Sequence, residues 1–268
     1  RIEEILADIS ERLTIQQRAR DDAYLTADFT SNANDRTAFN IDVEFLGDWP
    51  DLLRDAAIAA VEGLSDLIVG DIADFDLGDG TFVDDVAVNL ELTEIDGPGG
   101  TLASAGPEFI RVDGDLPIFG TARFDMADAE ALQASGAPVE QVQADVQQLV
   151  THEVLHVLGF GTIWEGNASV PDLLVETEGG LRFTGPAATR AYAEVFPEIA
   201  AADPFSDLGV PVEEELGPGS ARGHWDEGVF GDGDIMTPLF DSGEPLTQLT
   251  AASLADLGYE VAPEYLLA

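Results

Sequence analysis

Two of the three histidines in the chain, His152 and His156, lie four residues apart in THEVLHVLGF (151–160), with Glu153 directly after the first. On a helix, residues i and i+4 share a face one turn apart, so both imidazoles can address one metal ion. Glu153 is rotated from His152 by about 100°. That makes it a poor third ligand on the same line but lets it reach a water on the metal. Zinc lowers the pKa of such a water to about 7, and a neighbouring carboxylate can take its proton. The chemistry that suits this spacing is metal-assisted hydrolysis. The bland alternative is an amphipathic helix with two surface histidines.

A catalytic zinc generally takes three protein ligands and keeps one position open. The chain has no cysteine, so thiolate sites, cysteine nucleophiles and disulfides are excluded, and any metal must use His, Asp, Glu or water. Two solutions exist. A downstream glutamate (Glu176, Glu178 or Glu194) could complete the set, or a third histidine could follow a glycine bend. Gly159, three residues after His156, favours the second. In the compact spacing HExxHxxGxxH the ligand would fall on Thr162, which is no zinc ligand. The remaining histidine is His224, in GHWDEGVFGDGDIMTPLF (223–240), with Met236 shortly after it.

HEVLHVLGF, GHWDEG and DIMTP, in this order, resemble the leishmanolysin-like metallopeptidases, a branch of the metzincin clan of zinc peptidases. LTQLTAASLADLGYEV (246–261) is similar to that family's C-terminal helix and tail. TLASAGP and PIFGTARFD resemble its substrate-edge strand and the strand before its active-site helix. The likeness spans roughly 40–268. It implies His152, His156 and His224 as ligands of one catalytic Zn2+, Glu153 as general base, and Gly159 as the bend. It also implies Met236 as a Met-turn floor, 160–223 as an insertion, and Leu102, Ala103, Ser104 and Ala105 as an edge that pairs with peptide substrate. The fold it implies is α+β: a twisted mixed sheet with a backing helix and an active-site helix, then an irregular C-terminal subdomain. The function it implies is a zinc endopeptidase acting on proteins or peptides; the chain is expected to be secreted and monomeric. The alternatives are a glutamate-ligand zinc peptidase and a non-catalytic metal-binding or adhesion module derived from a peptidase. The lack of cysteine departs from the family's frequent disulfides and from cysteine-based latency. Because ligating imidazoles must be neutral, metal retention is expected to fall as pH drops through roughly 6.

The charge balance is extreme: 53 acidic residues against 11 basic ones, all arginine, for a net charge of −42. Such a surface repels nucleic acid and anionic membranes. It suits a salty, halophilic setting, where counterions screen the self-repulsion. The melting temperature is therefore expected to rise from dilute buffer to molar NaCl, and a fall would contradict this reading. DFDLGDGTFVDD (74–85) is a minor Ca2+ candidate, but it carries Asp79 and Asp85 where an EF-hand loop needs Gly and Glu. No apolar run approaches the roughly 20 residues of a membrane span. No signal peptide is visible, and the chain begins at Arg1, which fits removal of an N-terminal segment that would hide an export signal.

Periodicity supplies the elements that must carry these residues. Ile2, Ile5, Leu6, Ile9 and Leu13 predict an amphipathic helix over 1–20, packed on the body or left from a pro-segment, and 21–39 reads as a connector. FNIDVEFLG (39–47), VDDVAVNLELTEI (83–95), TLASAG (101–106, an edge) and GTARFD (120–125) read as strands. A helix follows Trp49-Pro50-Asp51, with Leu53, Ala57, Val61, Leu64 and Ile68 on one face. Another runs from Ala137 to Leu158, with a buried stripe of Val139, Val142, Val146, Val150, Val154 and Val157, and ends at Gly159. A last helix at 251–257 takes Thr250 as its cap and Gly258 as its end. The rest after 160 reads as irregular. Asn167-Ala168-Ser169 is the one glycosylation sequon. The expected organisation is 1–38, helix and connector; 39–159, an N-terminal subdomain ending in the active-site helix; and 160–268, a C-terminal subdomain.

Overall fold

A computed structural model describes residues 24–112, 114, 116–166 and 172–266. The helix expected over 1–20 and the sequon at 167–169 lie outside the described residues. The chain forms two compact units. One runs to Arg111 and resumes from Pro117 to Val157; the other takes Val112–Leu116 and everything from Leu158 onward.

The first unit is built on strands β1 (Phe29–Thr30) and β2 (Ile41–Leu46), helix α1 (Asp51–Leu67), the small hairpin β3 (Phe75–Asp76) and β4 (Phe82–Val83), then β5 (Val86–Thr93), β6 (Ala103–Ile110) and β7 (Pro117–Asp125). Helices α2 (Met126–Ala134) and α3 (Val139–Val157) follow. A five-stranded mixed sheet has the order β1-β2-β5-β7-β6. Its three inner strands are parallel, while β1 and β6 run antiparallel to their neighbours. The inner strands read as nearly continuous apolar runs because both faces are covered: Val86, Ala87, Val88 and Leu90 of β5 are all buried. Helix α1 buries Leu53, Ala57, Val61 and Leu64 and packs on α3, which in turn packs on β6 and β7. This is the α+β class expected, with a mixed sheet and backing helices.

Three differences from the expected elements have local causes. Val139 is 55% exposed, so the apolar stripe of α3 starts only at Val142; Val139 sits in the first turn, where the helix has not yet met the core. Helix α2 escaped periodicity because none of its residues is buried. It exists because the Asp125 carboxylate caps it, accepting from the backbone N–H of Ala127 and Asp128. Burial works against that carboxylate's charge, but the N–H groups of Gly97, Ile95, Asp96 and Ala127 outweigh it and hold the carboxyl down at about 2. Finally, 74–85 is a hairpin rather than an EF-hand loop. Asp76 and Asp79 spend a carboxylate oxygen each on the turn's own N–H groups, at Gly78 and Thr81.

The second unit is more ordered than its Gly- and Pro-rich sequence suggests. It contains β8 (Leu174–Thr177), β9 (Gly180–Phe183), α4 (Pro186–Val195), α5 (Pro197–Ala202), β10 (Val210–Pro211), α6 (Glu227–Phe230) and α7 (Gln248–Leu257). The three strands form an antiparallel sheet in the order β10-β9-β8. Helix α4 packs on α7, whose Asp256 carboxylate accepts from the N–H groups of Ala187 and Ala188 in the first turn of α4. An aromatic core of Phe160, Trp164, Phe183 and Trp225 joins the start of the unit to its middle, with Trp164 stacked on Trp225 at 5.2 Å. The cap of α7 is Thr247, not Thr250, which is buried inside the helix; Gly258 ends it in the left-handed conformation as expected. No helix among the described residues is long and apolar enough to cross a membrane.

Buried carboxyls give the fold a pH dependence of definite sign. Burial pushes Asp42 and Asp234 up to about 6, and Asp85 and Glu244 up to about 7. Above about pH 4 the folded chain therefore holds protons that the unfolded chain has released, and stability falls as pH rises from about 4 to 7. His224 opposes this, because burial lowers its pKa and the unfolded chain protonates first. Four carboxyls outweigh one imidazole. The metal-free chain is expected to melt at a higher temperature at pH 5.5 than at pH 7.5, and the reverse order would contradict the assignment.

Candidate metal centre

Helix α3 carries His152, Glu153 and His156 near its C-terminal end. Its apolar side (Val142, Val146, Val150, Val154 and Val157) is buried, which fixes the rotation of the helix and hence the direction of the histidines. Their Nε2 atoms stand 3.1 Å apart, with the rings at 74° to one another. Two nitrogens on a tetrahedral zinc would be separated by about 3.3 Å, given Zn–N bonds of about 2.0–2.1 Å. Gly159 follows with φ of +108°, and its carbonyl accepts from the N–H of Thr162 and Ile163, so the chain leaves the helix in a tight bend. Thr162, the position of the compact third ligand, lies in that bend.

Glu153 is 5% exposed, and its Oε2 accepts no hydrogen bond. Burial alone pushes its carboxyl up to about 8. A buried carboxylate oxygen left without a donor is costly unless a cation or a water stands against it.

His224 comes from the second unit and is fixed there by its neighbours. Its Nδ1 lies 2.9 Å from the Ser220 carbonyl oxygen. A carbonyl only accepts, so Nδ1 carries the proton and Nε2 keeps the lone pair that a metal needs. The flanking backbone is held on both sides. The His224 carbonyl accepts from Glu213 N–H, and Trp225 N–H donates to the Met236 carbonyl. The Trp225 indole donates to Thr250 Oγ1 at 2.9 Å, and Thr250 donates to Asp234 Oδ1 at 2.6 Å. Asp234 also accepts from Met236 N–H and from Thr247 Oγ1. Met236 is fully buried in a turn closed by Thr237 N–H on the Asp234 carbonyl.

His152, His156 and His224 form a group that could hold a metal ion. Three imidazoles, one with its tautomer set by a carbonyl, are a donor set suited to zinc. Glu176, Glu178 and Glu194 are exposed and do not join this group. Leu102, Ala103, Ser104 and Ala105 lead into and form the start of β6, an edge of the five-stranded sheet that packs on α3.

Sequence reasoning did not single out Asp234 or Gly161, and it took Thr250 for a helix cap rather than for the partner of Trp225 and Asp234. Asp234 carried a signal, lying two residues before Met236 in a GDGD turn. Gly161 did not stand out from the other glycines, yet it has φ of +71° and lies against the Gly223 backbone. No protein-family model and no curated protein matches the chain.

Proposed function

We propose that the chain is a zinc-dependent endopeptidase, leishmanolysin-like and metzincin-like in fold. The observation that carries this reading is the three-histidine group with the buried, donor-free Glu153 carboxylate between two of its members. Zinc, when bound, supplies Lewis acidity for the peptide carbonyl and an acidified water. His152, His156 and His224 would hold it, and Ser220 fixes the ring of the third. Glu153 takes the proton from the attacking water and delivers it to the leaving amine, a general base followed by a general acid. Met236 supports the centre from below through its packed turn and ligates nothing. The free edge of β6 aligns an extended peptide by main-chain pairing from residues 102–105. The acidic, lysine-free surface fits a protein exported into salty surroundings.

His224→Ala is expected to bring zinc content from one per chain to well below stoichiometric and to remove peptide cleavage. EDTA should stop cleavage by the unaltered chain, and added zinc should restore it. A His224→Ala chain that keeps both zinc and activity would place the third ligand elsewhere. Zinc bound tightly with no turnover on any protein substrate would favour a binding module.

A further inference from the structure

A second group of metal-ligand type lies in the first unit, where the chain leaves α1 and later enters β5. Asp71, Asp84 and Asp85 each offer a carboxylate oxygen, all within 4.8 Å of one another. Two of the three are interior, the Asp84 side chain being 1% exposed and Asp85 fully buried, while Asp71 is exposed. Both oxygens of Asp85 are fixed by the backbone, accepting from Asn40 N–H at 2.6 Å and Ile72 N–H at 2.5 Å. Asp84 takes Arg36 on Oδ2 at 2.8 Å, while its Oδ1 is buried and accepts no hydrogen bond. Among the described residues no arginine pairs with the carboxylate of Asp71 or Asp85. Arg111 reaches the same stretch but gives its Nη2 to the backbone carbonyls of Asp85 and Ala73.

Three like charges this close repel, and an orphaned buried oxygen adds the cost of a lost hydrogen bond. A hard cation relieves both at once. We propose that Asp71, Asp84 and Asp85 bind a calcium ion, which clamps the stretch after α1 onto the head of β5. The donors are all oxygen, as calcium takes, with waters to complete six to eight ligands at about 2.3–2.6 Å. Opposite ligands of such an ion stand about 5 Å apart, so oxygens within 4.8 Å of one another fit around it. Magnesium fits less well, because it demands near-ideal octahedral placement and Asp85 is held rigidly by Asn40 and Ile72. This inference does not depend on the proposed peptidase activity.

The test uses the full chain, stripped by chelation and reloaded with one equivalent of zinc, in 1 M NaCl to screen diffuse attraction to the acidic surface. CaCl2 is titrated while heat and melting temperature are followed. One Ca2+ per chain and a melting temperature raised by several degrees are expected. Asp71→Asn removes an exposed carboxylate with no hydrogen-bond partner, so the fold is undisturbed, and it should weaken Ca2+ binding at least about tenfold. Glu62→Gln, exposed on α1, should leave Ca2+ binding unchanged. No calcium response, or the same response in Asp71→Asn as in the unaltered chain, overturns the site. An equal rise with MgCl2 overturns the assignment to calcium.

Discussion

Glu153→Gln is expected to leave zinc content at one per chain and to slow peptide hydrolysis by about 10²–10⁴-fold, the usual worth of a positioned general base. In barrier terms that is about 3–5 kcal/mol. The amide keeps the volume of the side chain, so α3 should stay packed. Its Oε2 accepts no hydrogen bond in the protein, so the substitution breaks no internal partnership and relieves the burial of a charge. The melting temperature should therefore hold steady or rise while activity collapses. That split separates loss of a proton carrier from loss of the fold. A Glu153→Gln chain with full activity would end the general-base assignment, whatever its metal content.

Gly161→Ala should be the most damaging small substitution near the site, and its effect is structural. The residue sits at φ +71°, and an added Cβ would fall 2.1 Å from the carbonyl oxygen of Gly223. The left-handed backbone alone costs a non-glycine residue about 1–2 kcal/mol. The clash is with backbone, so no side chain can swing aside, and one of the two segments must shift. A total loss of about 2–4 kcal/mol is expected. Because Gly223 immediately precedes His224, zinc affinity should fall with it. Gly217→Ala is the matched comparison: φ is +90°, but nothing lies within 4 Å of the added carbon. It should show the backbone cost alone and retain zinc. Wild-type zinc binding in Gly161→Ala would mean that the bend can move without carrying the ligand along.

The parts of the fold that were legible in the sequence are those whose burial writes a period. Helices α1 and α3 show one apolar face each, and β2, β5 and β7 read as strands because they are short, largely apolar runs that the fold covers. The histidine pair followed directly, since a helical period places His152 and His156 together without knowledge of the rest. What was illegible depends on contacts between residues distant in sequence. The aromatic core gathers Phe160 and Trp164, Phe183, and Trp225 from three separate segments, so no single window of the sequence shows the whole cluster. Helices α4 and α5 are short, begin at prolines and are separated only by Phe196, which breaks any run long enough to read. The start of α7 was misplaced because both Thr247 and Thr250 can cap. The choice went to Thr247 when Asp234 and Trp225 claimed the Thr250 hydroxyl. His224 could be matched to the pair only by a family likeness, because nothing local announces that it returns to them.

The hydrogen-bonded line from Trp225 through Thr250 to Asp234 has a consequence for the order in which the chain is made. His152 and His156 ride on a helix whose packing partners, α1, β6 and β7, all precede it, so they are in place as soon as α3 leaves the ribosome. The segment bearing His224 is not, because the hydroxyls that anchor it belong to Thr247 and Thr250, further along the chain. A nascent chain halted after His224 has all three imidazoles but lacks the tether that positions the third. Translation thus separates synthesis of the three histidines from the anchoring of the last of them, which waits until α7 has been synthesised.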